Sequence, residues 1–165
     1  MMSSRYPVEV IRSDRRVKTV SARIVDGVIR VRIPSWMNAD EEHRYVTDVV
    51  ARIERGRRSA GIDLEARARR LAEQYDLPVP TTVSWSPTQR TRWGSCTPGN
   101  GDIRISDRLV DAPPWVLDHV IVHELAHLVH ADHSPAFHEL VARNPRSERA
   151  IGYLMALNDH AAQAP

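Results

Sequence analysis

Val8, Val10 and Ile11 open the chain with a short extended run, and a basic patch of Arg12, Arg15, Arg16 and Lys18 ends it. Val20, Ala22 and Ile24 then alternate with Ser21 and Arg23. After Asp26-Gly27, Ile29, Val31 and Ile33 alternate with Arg30 and Arg32. Alternation of period two on both sides of Asp-Gly predicts a β-hairpin, because that dipeptide accepts the positive φ of a tight two-residue turn. One face of the hairpin is apolar and the other is rich in arginine, as expected of a solvated face rather than a nucleic-acid surface.

Pro34 closes the second strand, and the apolar spacing then changes to three and four. Asn38 with Glu41 makes a capping box for a helix through Val46, Val49, Val50 and Ile53. Gly56 to Gly61 reads as a break, and Asp63 caps a second helix carrying Leu64, Ala68, Leu71, Ala72 and Tyr75. Arg67, Arg69 and Arg70 fall on its other faces, and Pro78 and Pro80 end it. Three extended pieces come next, Thr81–Trp85, Arg90–Cys96 and Ile103–Ser106, and they predict a small antiparallel sheet. Pro113-Pro114 starts a helix expected to run to about His130. Strands, helices, strands and helices in that order predict an α+β fold. A single domain is expected over 1–165, with strands in 1–36, helices in 37–80, and a sheet with metal-binding helices in 81–165.

Composition excludes several classes. The chain has 165 residues, a net charge of +2 and 27% charged residues, too mild a balance to argue for nucleic acid by itself. A single cysteine, Cys96, rules out an intrachain disulfide and fits a reducing compartment; it reads as a small buried hydrophobe. No secretory leader is visible at the amino terminus, and no apolar run approaches the ~18 residues of a membrane span. The expectation is a soluble, cytoplasmic protein with no membrane partner.

The chemistry concentrates in Val120-Ile121-Val122-His123-Glu124-Leu125-Ala126-His127-Leu128-Val129. Residues i and i+4 of a helix stack on one face roughly 5–6 Å apart, so His123 and His127 can converge on one ion. Glu124 comes after His123 by about 100° of rotation, which sets it beside the ion and suits it to contact water there. A helix this apolar all round should be buried, and buried imidazoles and carboxylate are costly unless a cation satisfies them.

Two ligands leave a zinc site incomplete. Downstream stand His130, His133, His138, Glu139 and Glu148. His133 is 600° of ideal helix past His127, so it reaches the site only if the helix breaks first. Ala131-Asp132, then Ser134 before Pro135, permit that break, and a new helix from Pro135 to Arg143 would carry Phe137, Leu140 and Val141 into the core. Glu148 stands near where thermolysin-like enzymes place a glutamate ligand; spacing, together with the resemblance given next, favours His133. His130 reads as a solvent-facing residue at a helix end, His119 as a packing or supporting residue one turn before His123, and His138 as a core-edge residue. His43 and His160 carry no signal.

His123-Glu124-Leu125-Ala126-His127-Leu128 followed by Asp132-His133-Ser134-Pro135-Ala136-Phe137, with Arg92-Trp93-Gly94-Ser95-Cys96 upstream, resembles the YgjP-like zinc metallopeptidase family, whose relatives are the SprT-type and WLM-type proteases. The resemblance covers about Val8 to Leu140. It implies a zincin-like domain with one zinc ion, His123, His127 and His133 as ligands, and Glu124 as general base. The chain departs from the family pattern at Asp132, where Asn or Gly is usual, at His138, where Trp is usual, and at His119, where an aromatic is frequent.

The same resemblance implies a zinc-dependent metallopeptidase cleaving peptide bonds, with a peptide or protein substrate. Arg92 is the candidate substrate-binding residue, helping zinc to stabilise an oxyanion. The Arg92–Cys96 strand is either an edge that takes an extended peptide or a structural strand whose Gly94 permits close backbone approach. Two alternatives keep the metal and change the partner: a nucleoside triphosphate pyrophosphatase, suited by Arg90 and Arg92, and a DNA-associated SprT-type protease, supported only by scattered arginine.

Overall fold

The hairpin forms where Asp-Gly places it. In a computed structural model, which describes residues 6–15 and 18–163 and side chains as far as 159, β2 (Ser21–Val25) pairs antiparallel with β3 (Val28–Pro34). Asp26 and Gly27 between them take φ of 51° and 76°, the left-handed values that such a turn needs. Arg16 and the His160 side chain lie outside the described residues. The first run, β1 (Val8–Ser13), adds to the other edge of β3 and runs parallel to it.

Helix α1 (Ala39–Ser59) begins at the expected capping box. The Glu41 N–H donates to Asn38 Oδ1 at 2.9 Å and the Asn38 N–H to Glu41 Oε2 at 3.3 Å. Ile29, Val31 and Ile33, the inward residues of β3, are buried with Val49 of α1. Arg12, read from the sequence only as part of a basic patch, has a structural task. Its guanidinium donates to the Ser35 and Met37 carbonyls at 3.0 and 2.8 Å and pairs with Glu42, fixing the entry into α1. Gly56 does not break the helix; α1 runs through it to Ser59, since one exposed glycine costs a helix only about 1 kcal/mol.

The chain divides into two compact units, 1–57 and 58–165, and the second carries the histidine motif. There α2 (Leu64–Tyr75) is capped by Asp63, which accepts from the Ala66 N–H at 2.9 Å, and ends at Asp76 in the left-handed conformation. Arg67 is not on a solvated face. It donates to Asp118 at 2.6 Å and to the Pro114 carbonyl at 2.9 Å, tying α2 to the start of α3 (Pro114–Ala126).

The three strands β4 (Thr82–Ser86), β5 (Gly94–Thr97) and β6 (Asp102–Ser106) correct the expectation of an antiparallel sheet. Their order is β4-β6-β5; β5 is antiparallel to β6, but β4 is parallel to it. The short turn Pro98–Gly101 forces β5 and β6 into a hairpin. The link 87–93, which includes Arg90–Trp93 and is not strand, carries the chain from one edge of β6 to the other, so β4 and β6 point the same way. Gln89 and Ser106 pin that link, through Ser106 Oγ donating to the Gln89 carbonyl at 3.0 Å and Gln89 Nε2 donating to Ser95 Oγ at 2.6 Å.

A 3-10 turn, Asp107–Asp111, leads into α3, which is followed by α4 (Pro135–Ala142) and α5 (Ser147–Gln163). Val116, Ile121, Val122 and Leu125 of α3 are fully buried, in a core shared with β4, β6 and α2. The apolar circumference of α3 is thus matched by neighbours on nearly every side. Among the described residues, no helix is long and apolar enough to cross a membrane.

Candidate metal centre

Helix α3 stops four residues earlier than its apolar pattern suggests. Its last residue is Ala126, with His127 at the C-cap still in helical geometry (φ −69°, ψ −15°). Leu128 and Val129 close tight turns onto Leu125 and Ala126, and the His130 N–H returns to the Ala126 carbonyl at 3.0 Å. That reversal brings His133 back over the end of α3. Ser134 then caps α4, accepting from the Phe137 N–H at 3.4 Å.

The break brings the three predicted imidazoles together. One nitrogen from each of His123, His127 and His133 lies within 4.8 Å of the others, and His123 Nε2 and His133 Nε2 are 3.3 Å apart. Among the described residues no other trio of His, Cys, Asp or Glu converges in this way. Glu139 and Glu148, the competing candidates, are exposed and outside the cluster. His130 is half-buried rather than solvent-facing. Its carbonyl meets His127 Nδ1 at 3.0 Å, so Nδ1 carries the proton and donates, leaving Nε2 as the donor of a lone pair.

Phe137, the chain's one phenylalanine, is fully buried beneath the three rings. Its centroid is 4.9 Å from His123, 4.5 Å from His127, against which it stacks, and 4.8 Å from His133. Sequence reasoning assigned Phe137 to the core and missed that it floors the cluster; only the break at 127–134, which turns α4 under α3, signals it. His138 is exposed, with its ring 6.3 Å from that of His133.

Electrostatics prepare these groups for a cation. Burial and the neighbouring imidazoles His127, His119, His133 and His138 hold the His123 pKa down to about 3, so at neutral pH it presents a lone pair. Glu124, 5% exposed, is pushed up to about 7 by burial, a rise that the Arg92 guanidinium partly offsets. Cys96 is half-buried, and burial, with the Glu124 charge, lifts its thiol to about 11, too high to supply a thiolate at neutral pH. His119 is buried on α3 one turn before His123; burial lowers its pKa, and its Nδ1 lies 3.3 Å from Ser147 Oγ.

One cleft of about 650 Å³ gathers the cluster, Glu124 and Arg92. Gly94, at the start of the edge strand β5, forms part of its wall. A Cβ built at position 94 would stand 2.5 Å from Glu124 Oε1, 2.8 Å from its Cγ and 2.9 Å from its Cδ. What approaches this glycine is a side chain, the carboxylate of the histidine motif, rather than the backbone expected. Arg92 itself is exposed at the rim; its carbonyl accepts from Arg108 at 3.4 Å, while the Arg108 guanidinium lies 3.9 Å over the Trp93 ring.

Three convergent imidazoles with a buried carboxylate beside them, set in an α+β unit, form a donor set that suits a divalent metal of borderline softness. A family model described as YgjP-like, metallopeptidase domain matches residues 28–145, and the chain belongs to that family. The match begins at β3, later than the resemblance read from Val8, and runs beyond Leu140 and past the end of α4 to residue 145. No curated protein and no solved structure matches the chain.

Proposed function

We propose that the chain is a zinc-dependent peptidase in which His123, His127 and His133 hold one zinc ion and Glu124 is the general base. The observation that carries this is the convergence of the three imidazoles beside a buried carboxylate in a single open cleft. The donors fit the ion. His123 is kept neutral, the His127 lone pair is turned inward by the His130 carbonyl, and the Nε2 atoms of His123 and His133 lie 3.3 Å apart.

When bound, zinc supplies a Lewis acid that makes water acidic near neutral pH and polarises a carbonyl. The chain's residues do the rest. Glu124, with a pKa pushed to about 7, is matched to take a proton from water at neutral pH and return it to the departing amine. Gly94 leaves the space in which that carboxylate sits. Arg92, at the rim, offers a positive charge to the substrate carbonyl oxygen. Among the described residues β5 is an outer strand of its sheet, the position from which an extended peptide would be taken by strand addition. Arg92 is the one Arg or Lys among the described residues lining the cleft, whose wall is otherwise largely apolar; a polyphosphate would ask for more cations.

The test is metal content and hydrolysis measured together. Purified protein is expected to bind about one zinc, cleave casein or a peptide, and lose cleavage but not zinc on Glu124→Gln; His133→Ala is expected to lose the zinc. Loss of zinc from a folded Glu124→Gln variant removes that residue from the base role. Release of phosphate from nucleoside triphosphates without peptide cleavage, or cleavage only with added DNA, replaces the proposed substrate.

A further inference from the structure

Helix α5 borders the cleft with side chains that the chemistry above does not use. Ile151 and Met155, one turn apart, are 42% and 63% exposed, and together with Leu154, Val120 and Val141 they make one wall apolar. Grouped aliphatic side chains left open at a cleft mark a binding surface. At the base of this wall stands His119, 4% exposed, its ring centroid 6.3 Å from that of His123.

The tautomer of His119 is set by its partner. Ser147, one turn before Ile151 on α5, has a single hydroxyl hydrogen, and Ser147 Oγ donates it to the Val141 carbonyl at 2.8 Å. Toward His119 Nδ1, 3.3 Å away, the hydroxyl can therefore only accept. The ring proton is on Nδ1, and Nε2 is a bare acceptor with no hydrogen bond from any described residue. His119 lines the cleft and this acceptor is not sealed from it, so a ligand that brings a donor is favoured over an isostere that does not.

We propose that the α5 wall and His119 form a recognition subsite for an aromatic side chain bearing a hydrogen-bond donor, tyrosine or tryptophan, beside the bond to be cleaved. The ring lies on Ile151, Leu154 and Met155, and its O–H or N–H meets His119 Nε2. The placement beside the scissile bond rests on the peptidase proposal; the subsite does not, so binding is measured apart from cleavage.

N-acetyl-tyrosinamide and N-acetyl-phenylalaninamide are titrated into the full chain, zinc-loaded and chelator-treated, while the histidine ring nitrogens are followed by NMR. The tyrosine compound is expected to bind about three- to ten-fold more tightly and to move His119 Nε2. His119→Phe is expected to erase that difference. Met155→Lys, at an exposed position where folding is not at stake, should weaken both compounds about ten-fold. Equal affinities, no binding by either, or binding that leaves His119 unmoved overturns the subsite. Peptides matched except for tyrosine, phenylalanine, leucine or aspartate at one position should be cleaved in that order. Discriminating binding with no peptide cleaved upholds the subsite and sinks the peptidase proposal, whereas cleavage indifferent to that residue sinks the subsite alone.

Discussion

Replacing Gly94 by alanine puts a methyl group where Glu124 stands. The new carbon would lie 2.5 Å from Oε1, and ordinary contact begins at 3.4 Å, so the carboxylate must retreat by about 0.9 Å. Rotating the carboxylate alone does not relieve it, because Cγ and Cδ are also too near, at 2.8 and 2.9 Å, and the residue is buried. A misplacement of about 1 Å in a catalytic group costs on the order of 10²-fold. Gly94→Ala is therefore expected to lower kcat/KM about a hundred-fold on a peptide substrate while zinc content stays at wild-type level. Overpacking of this kind also costs about 1–3 kcal/mol of stability. That cost should nearly vanish when Glu124 is itself truncated to alanine, since the methyl then has room, and a double-mutant cycle by urea denaturation measures the coupling. Activity within two-fold of wild type, or a stability cost that persists in the Glu124→Ala background, refutes the steric reasoning.

Further expectations rest on the core and on the buried ionisable groups. Leu125→Ala removes a fully buried side chain from α3 and should destabilise by about 2–5 kcal/mol in urea unfolding; a loss under 1 kcal/mol means that the helix is not packed as described. In the metal-free protein, His123 has a folded pKa of about 3 against an ordinary 6.5, so the unfolded chain binds the extra proton between those values and His123 makes stability fall as pH drops through that window. Glu124 acts in the opposite sense, because its folded pKa of about 7 lies above an ordinary 4.5 and its contribution falls as pH rises from 4.5 to 7. Glu124→Gln should then gain stability relative to wild type as pH rises across 4.5–7, read from urea midpoints at several pH values after chelation; a relative loss contradicts the assigned burial.

Much of the site could be read from the chain because its determinants are local. Four-residue spacing aligns His123 with His127 whatever surrounds them, and Ser134-Pro135 marks a helix start that obliges the chain to turn near His133. Asp26-Gly27 likewise fixes a hairpin through its own backbone preference. The sheet around β6 escaped because strand direction depends on where the link 87–93 travels, and nothing in Ser-Pro-Thr-Gln-Arg says that it crosses to the other edge. Phe137 escaped for a different reason. Apolar spacing says that a side chain is inside, not which rings it touches.

The bond between the His127 ring and the His130 carbonyl has a consequence for how this surface can change. The imidazole is aimed by the main chain of the very turn that ends its helix, so swivelling it would break a peptide-group partnership. Val129, Ala131 and Asp132 point outward from that turn and take no part in the aiming. The rim at those three places is thus open to drift in shape and charge, while the grip beneath it keeps its bearing.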